Sequence, residues 1–454
     1  MSEVIAAIST PLVSSGIGVI RISGENSFAV ADAVFRSASG KKIAEISGYH
    51  ALYGRVFDKN GEVDEVVALK FTAPHSFTGE NVVEFSCHGS VYILKRALAA
   101  LLQSGARLAK AGEFTRRAFE NGKMDLSAAE SVMQLIGAES SLEHAAAISG
   151  REGVLYRRIG EIRDRLVTLA GHLSAWVDFP DEDVPEVDEN ELLDGLQFAK
   201  NELSRLLSDF ENGRILREGI DTVIVGKPNV GKSTFMNLLC GSERSIVTDV
   251  AGTTRDIVEE SVTVGGVKLR LSDTAGLHDT DDKVEKIGVN MARSRIETAS
   301  LILAVFDGSC PLDEDDLALI SSLDGKKAVA IINKCDLESQ INTNLVAENI
   351  PFVVSVSAKT GDGAEKIGKA VAERVGADSI DPSAGILTTE RQRDCVLRAE
   401  NAVTEGEAAL TAGLTFDAVG VMLDEAIAAL CELSGERVSE TIVDEVFSSF
   451  CVGK

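Results

Sequence analysis

A β-branched run at residues 220–225 leads straight into Gly226-Lys-Pro-Asn-Val-Gly-Lys-Ser233, and no other feature of the chain constrains its fold as strongly. The run reads as a buried strand and the string satisfies G-x-x-x-x-G-K-[ST], the order of strand, turn and helix that a phosphate-binding loop requires. Gly226 and Gly231 let the backbone turn so that successive N–H groups face an anion, and the helix opening near Lys232 presents its positive end to it. Asn229, Val230, Gly231, Lys232, Ser233 and Thr234 are therefore candidate nucleotide contacts. Lys232 is suited to the β- and γ-phosphates and Ser233 to Mg²⁺.

Three further strings follow in order: Asp273-Thr-Ala-Gly276, Asn333-Lys-Cys-Asp336 and Ser357-Ala-Lys359. They select guanine. A carboxylate at Asp336 accepts both the ring N–H and the exocyclic amine of guanine, whereas adenine offers only an acceptor at that ring nitrogen. Ala358 is expected to offer its N–H to the guanine oxygen, and Asn333, Lys334, Ser357 and Lys359 complete the base site. Asp273, Thr274, Ala275 and Gly276 are expected beside the phosphates. The residue after this element is Leu277, where the commonest small GTPases carry a water-orienting glutamine. Hydrolysis then needs another device. Residues 248–256, with carbonyls and hydroxyls able to wrap a cation, and the acidic residues 279–285 are the candidates. Arg255 as a built-in arginine finger is the weaker reading, because an arginine beside an aspartate is more often a structural pair.

The flanks enlarge the picture. At 454 residues about three domains are expected, and 44% apolar with 26% charged residues is ordinary for a globular chain. No stretch approaches a membrane span, Met1-Ser-Glu-Val lacks the basic start of a signal peptide, and seven cysteines without a C-x-x-C pair suit a reducing compartment. A cytoplasmic protein is expected. The net charge is −26, yet residues 1–120 hold 13 Lys and Arg against 12 Asp and Glu, which leaves −27 for the rest. A broad electrostatic footprint for RNA is thus absent from the C-terminal two-thirds, so a local patch or a partner must supply any such attraction.

Apolar runs at residues 18–22, 66–71 and 82–85 read as strands and residues 91–102 as a helix, which gives an N-terminal α/β domain over residues 1–119. Helical spacing covers residues 124–178; an acidic, proline-bearing loop follows, then one helix from Glu191 to about Leu216, so residues 120–216 form the first part of a helical domain. Residues 217–377 are expected as a doubly wound G domain with strands at 267–271, 301–306, 329–332 and 352–356. Residues 378–454 return to helix at 388–410, 416–434 and a short final stretch. They are too few to bury a large core alone and are expected to pack on the earlier helices, so the G domain is an insertion.

Phe77-Thr-Gly-Glu80, Gly112-Glu-Phe-Thr-Arg116, Gly122-Lys-Met-Asp-Leu126, Asp178-Phe-Pro-Asp-Glu182, Gly252-Thr-Thr-Arg-Asp256 and the terminal Phe450-Cys-Val-Gly-Lys454 add a second kind of information. In this order, around an inserted GTPase, they resemble the MnmE (TrmE) family of tRNA modification GTPases over the whole chain. The resemblance implies K⁺ held by Asn229, Thr248, Val250 and Thr253, within a loop that also offers Asp249, Ala251 and Gly252 to the nucleotide, and Mg²⁺ held by Ser233 and Thr254. The cation would replace an arginine finger, an effect worth about 10³ to 10⁵ in rate where a finger supplies it. Glu285 matches the family's water-orienting glutamate. Lys232, Asn229 and Glu285 are thus the candidate catalytic residues of hydrolysis.

The same resemblance implies a folate-binding N-terminal domain, with Arg21, Glu84, Lys123 and Lys454 at a tetrahydrofolate one-carbon donor and Cys451 either a nucleophile or a packing residue. It also implies a homodimer through that domain, a flavin-containing MnmG-like partner, and tRNA as substrate, with a carboxymethylaminomethyl or aminomethyl group added to C5 of the wobble uridine. Two other classes share parts of the pattern. A ribosome-assembly GTPase would carry a basic RNA-binding module, against which the acidic residues after Pro382 argue. A folate-binding transfer module would use the G domain only for regulation.

Overall fold

The structure is a computed structural model and describes residues 3–178, 187–242, 260–271 and 296–453. Two compact units divide the chain: Met1–Met133 with Arg151–Leu196 and Asn401–Lys454, and Gln134–Gly150 with Gln197–Glu400.

The first unit is built on a seven-stranded sheet of β1 (Ile5–Ile8), β2 (Ser15–Ser23), β3 (Phe35–Ser37), β4 (His50–Asp58), β5 (Gly61–Phe71), β6 (Val82–Gly89) and β7 (Arg107–Leu108). Their order is β3-β4-β5-β6-β2-β1-β7. The three expected strands lie inside β2, β5 and β6, and their alternation buries one face. Ile20, Ile22, Val83 and Phe85 cluster there with Leu94, Ala97 and Leu101 of the helix Val91–Gln103. That helix sits so close that a Cβ on Gly18 would stand 2.5 Å from Leu94. On the helix Glu113–Glu120, Phe114 is fully buried with Ile5, Ala7 and Ala109.

The long helix Val154–Asp178 buries Leu155, Ile159, Ile162, Leu166, Leu169 and Leu173 at alternating steps of four and three. It packs on the helix Phe416–Ser434, which buries Val419, Leu423, Ala426, Leu430 and Leu433 at the same steps. Such matched seams let apolar side chains interdigitate along the full contact. Leu173 lies against Gly420 while Tyr156 and Arg163 reach Glu436, so the two helices run antiparallel. This is the expected packing of the C-terminal helices on the earlier helical segment.

The second unit carries β8 (Ile220–Val225), β9 (Glu260–Val264), β10 (Val267–Leu271), β11 (Leu301–Asp307), β12 (Ala328–Asn333) and β13 (Val353–Ser355), in the order β13-β12-β11-β8-β10-β9. All pairings are parallel except β9 with β10. β12 is buried at every position, as a parallel strand covered on both faces must be. The antiparallel edge departs from the fully parallel sheet expected. Its cause is local: Gly265 and Gly266 have φ of 62° and 79°, the left-handed pair that a two-residue hairpin demands. A second difference lies at residues 191–216, where two helices, Glu189–Ser208 and Phe210–Glu218, replace the single one expected. Asp209 keeps helical φ and ψ of −82° and −6°, so the break is a one-residue turn that periodicity does not register.

Candidate functional site

In the second unit β8 pairs with β11 on one side and β10 on the other, so the chain order reverses across it. The carboxyl end of such a strand is where open α/β sheets bind ligands. The loop Gly226 to Gly231 leaves β8 at that point and runs into the helix Lys232–Ser242.

Several residues of the loop are fixed by their surroundings. Gly226 has φ 149° and a Cβ there would lie 2.3 Å from the Val305 carbonyl of β11, so only glycine permits the exit. Gly231, at φ 97°, faces Asn333, whose Nδ2 would meet a Cβ at 2.4 Å. Asn229 is a non-glycine residue at φ 63°, a conformation that costs about 1 kcal/mol and persists only where surroundings enforce it. Lys334 Nζ supplies part of that enforcement by donating to the Asn229 carbonyl at 3.1 Å while pairing with Asp307 at 2.5 Å. Lys232 donates to the carbonyls of Gly226 at 2.9 Å and Lys227 at 2.7 Å. Burial pulls its ammonium below the usual lysine range, so an anion arriving there would meet a cation already stripped of much of its water.

The base motif and the phosphate loop are one structure. Asn333, at the end of β12 and almost fully buried, donates from Nδ2 to the Val230 carbonyl at 2.8 Å and accepts the Ala358 N–H on Oδ1 at 2.9 Å. The N–H that the sequence assigned to the guanine oxygen is thus already donated within the protein, and Ala358 first serves to hold Asn333. The Ser357 hydroxyl donates to Asp336 and holds its carboxyl below the usual range, in the ionised form that a guanine edge requires. Ser357 N–H bonds the Asp362 carbonyl at 2.9 Å, and Lys359 lies close enough to stabilise the Asp336 charge. The loop and the base motif thus meet through Val230 and Gly231 at Asn333 and through Asn229 at Lys334. Residues 248–254, Asp273, Thr274, Ala275, Gly276, Leu277 and Glu285 lie outside the described residues.

A second cluster forms in the first unit. Arg21 Nε and Glu84 Oε1 pair at 2.8 Å across β2 and β6, and the guanidinium faces the rings of Phe77 and Phe114 at 5.8 and 5.7 Å. The C-terminal tail enters here. Val452 bridges Ala111, Gly112 N–H donates to the Cys451 carbonyl at 3.3 Å, and the Gly453 carbonyl accepts from Ser9 Oγ at 3.2 Å and Arg21 Nη1 at 3.4 Å. Gly453 has φ 99°, and a Cβ there would meet the Ile8 carbonyl at 2.6 Å. Cys451 itself is exposed. Lys123 donates to the Pro74 carbonyl at 3.0 Å. Arg21 and Glu84 are therefore brought together, with each other as first partner, and Lys454 lies outside the described residues.

Sequence reasoning gave no site role to Lys227, Asp307, Phe77 or Ser9. Asp307 closes β11 in register with Asn333 of β12, a pairing that the fold alone shows. The others act through contacts far apart in sequence.

A loop at the switch point, latched to an Asn-Lys-Cys-Asp motif with its aspartate held ionised, places this chain among the P-loop guanine-nucleotide-binding proteins. Residues 4–123 match the family described as GTP-binding protein TrmE N-terminus, and residues 126–451 the one described as MnmE helical domain. tRNA modification GTPase MnmE from Clostridioides difficile (strain 630) is 38% identical over 457 residues, covering 100% of both chains. Its namesakes from Acetivibrio thermocellus and Symbiobacterium thermophilum are 40% and 42% identical, over 100% of this chain and 99% of theirs. The chain belongs to the MnmE family of tRNA modification GTPases. Among solved structures, the G domain of FeoB from Methanococcus jannaschii is 25% identical over 35% of this chain and 97% of its own, at a TM-score of 0.26.

Proposed function

We propose that the chain binds and hydrolyses GTP and, with a flavoprotein partner of MnmG type, uses that cycle to drive addition of a carboxymethylaminomethyl or aminomethyl group to C5 of the wobble uridine of certain tRNAs. The observation that carries the nucleotide half is the Asn333 latch, which ties the phosphate loop to the guanine motif through one side chain. Lys232 and the loop N–H groups bind the phosphates, and Asp336 reads the base. Ser233 would ligate Mg²⁺, with Thr254 as its expected companion. The ion supplies charge neutralisation between the phosphates when bound.

Asn229 sits at positive φ in the phosphate loop, its carbonyl bonded by Lys334. With Thr248, Val250 and Thr253 it would hold K⁺ in place of an arginine finger, and Glu285 would orient the attacking water. Arg21, Glu84, Lys123 and Lys454 would bind the tetrahydrofolate donor, and Cys451, exposed in the tail whose Gly453 carbonyl meets Arg21, would lie near it. A homodimer through the N-terminal domain and a cytoplasmic setting complete the reading. Among the described residues no helix is long and apolar enough to cross a membrane.

The test is steady-state GTP hydrolysis in KCl and in NaCl at one ionic strength, for the parent and Glu285→Ala. The reading expects turnover to collapse in NaCl, and Glu285→Ala to keep nucleotide affinity while losing hydrolysis. Equal rates in the two salts would remove the potassium device, and loss of binding in the variant would make Glu285 structural.

A further inference from the structure

The phosphate loop is anchored unevenly. Its second half is held by the base motif, through Lys334 on the Asn229 carbonyl and Asn333 on the Val230 carbonyl. Those contacts do not reach its first half. There the side chain of Lys227 turns away from the loop to the amino end of the helix Glu314–Ser322, where its ammonium meets Asp313 Oδ2 at 2.5 Å and Asp316 Oδ2 at 2.8 Å.

Neither acid is a casual surface partner. Asp313 caps that helix, accepting from the N–H groups of Asp315 and Asp316 at 3.1 Å, and the lysine beside it holds its carboxyl below the usual range. The Asp316 side chain is only 6% exposed; its Oδ2 also accepts the Asp313 N–H at 3.2 Å, while its Oδ1 is buried without a partner. A buried carboxylate with one oxygen unmet is costly, and the ammonium of Lys227 is the one cation bonded to it among the described residues. The same residue has a second task at its backbone. The Lys227 carbonyl accepts from Lys232 Nζ at 2.7 Å, so a line of contacts runs from the helix through Lys227 to the ammonium that meets the phosphates.

From this geometry we infer that Lys227 is a positioning residue of the GTP site. Clamped by Asp316 and Asp313, it holds the first half of the loop in its ligand-ready shape and sets the carbonyl against which Lys232 is aligned. It touches no substrate. Its loss removes the tie between the first half of the loop and the helix Glu314–Ser322 and leaves there only the internal bonds of Lys232 to the Gly226 and Lys227 carbonyls, so bound nucleotide escapes faster although every contacting side chain remains. The inference rests on the guanine-nucleotide reading and goes beyond it in naming a residue that motif matching treats as a free position.

The test measures release of N-methylanthraniloyl-GDP from the full-length chain by fluorescence, with the urea midpoint followed in parallel. Lys227→Met is expected to speed release about tenfold, the scale of one charge-assisted hydrogen bond, and Lys227→Arg to restore the parent rate within about twofold. Asp316→Asn approaches the clamp from the other side with little change of shape. It is expected to reproduce the effect, and the double variant Lys227→Met with Asp316→Asn to release no faster than the single ones. Release at the parent rate in both single variants, or effects that multiply in the double variant, would overturn the inference. A parent chain that retains no probe would overturn the nucleotide reading itself and the inference with it.

Discussion

Gly231 shows how narrow the tolerance is at the level of a single residue. Its φ of 97° disfavours a side chain, and the atom 2.4 Å from a new Cβ is the amide nitrogen that latches the base motif to the loop. Gly231→Ala is therefore expected to abolish GTP binding in a direct titration, while Asn333→Ala, which keeps the glycine, weakens it by about 1–3 kcal/mol for the two hydrogen bonds lost. Unchanged affinity in Asn333→Ala would show that the latch is ornamental. His88 illustrates a different residue-scale effect, in the first unit. Its Nδ1 bonds Asp64 at 2.7 Å, and that bond, then the Asp64 charge, raises the ring above its ordinary value. A base raised on folding adds stability that is complete below the unfolded pKa of about 6.5 and fades as pH climbs through the folded value. The urea midpoint of the first unit's unfolding should fall over that window, and His88→Gln should flatten the fall.

Whole elements were legible where periodicity alone decides them. The runs at 301–306 and 329–332 became β11 and β12, because strands buried on both faces leave uninterrupted apolar stretches, while those at 220–225 and 267–271 became β8 and β10, where Asp221, Lys268 and Arg270 interrupt an otherwise largely apolar run. The helix Phe416–Ser434 keeps the bounds its spacing implies, with Gly435 at φ 86° as its stop. What the pattern could not show was direction and contact. Nothing in residues 260–264 says that β9 runs antiparallel until Gly265 and Gly266 are seen in their left-handed turn. The tail is the extreme case, since Cys451 to Gly453 pair with residues some 340 to 440 positions earlier in the chain. At this scale, Leu166→Ala at the centre of the helix Val154–Asp178 should cost about 2–5 kcal/mol in chemical unfolding, because Leu166 is fully buried in the seam. Deleting residues 451–454 should leave GTP hydrolysis intact and remove modification, a separation that would fail if the tail only packed.

At the scale of the molecule, the motifs pointed to the nucleotide site and the family resemblance pointed to a proposed second one, where composition and spacing alone read as bland. Arg21 and Glu84 illustrate the difference: each reads as an ordinary surface charge, and only the fold pairs them beside the tail. The charge balance has a consequence of its own. A chain of net −26 neutralises few phosphates, so binding of tRNA by the isolated protein should be weak with a shallow salt slope, and should strengthen when the proposed flavoprotein partner is present. Filter binding across a salt series with and without that partner decides it. The central claim, that GTP hydrolysis here serves wobble-uridine modification, is met most directly by mass analysis of wobble nucleosides in tRNA from cells lacking this chain. Loss of the C5 substituent, restored by the parent and not by Glu285→Ala, is the predicted result; wobble uridines that keep their full modification in its absence would contradict the account.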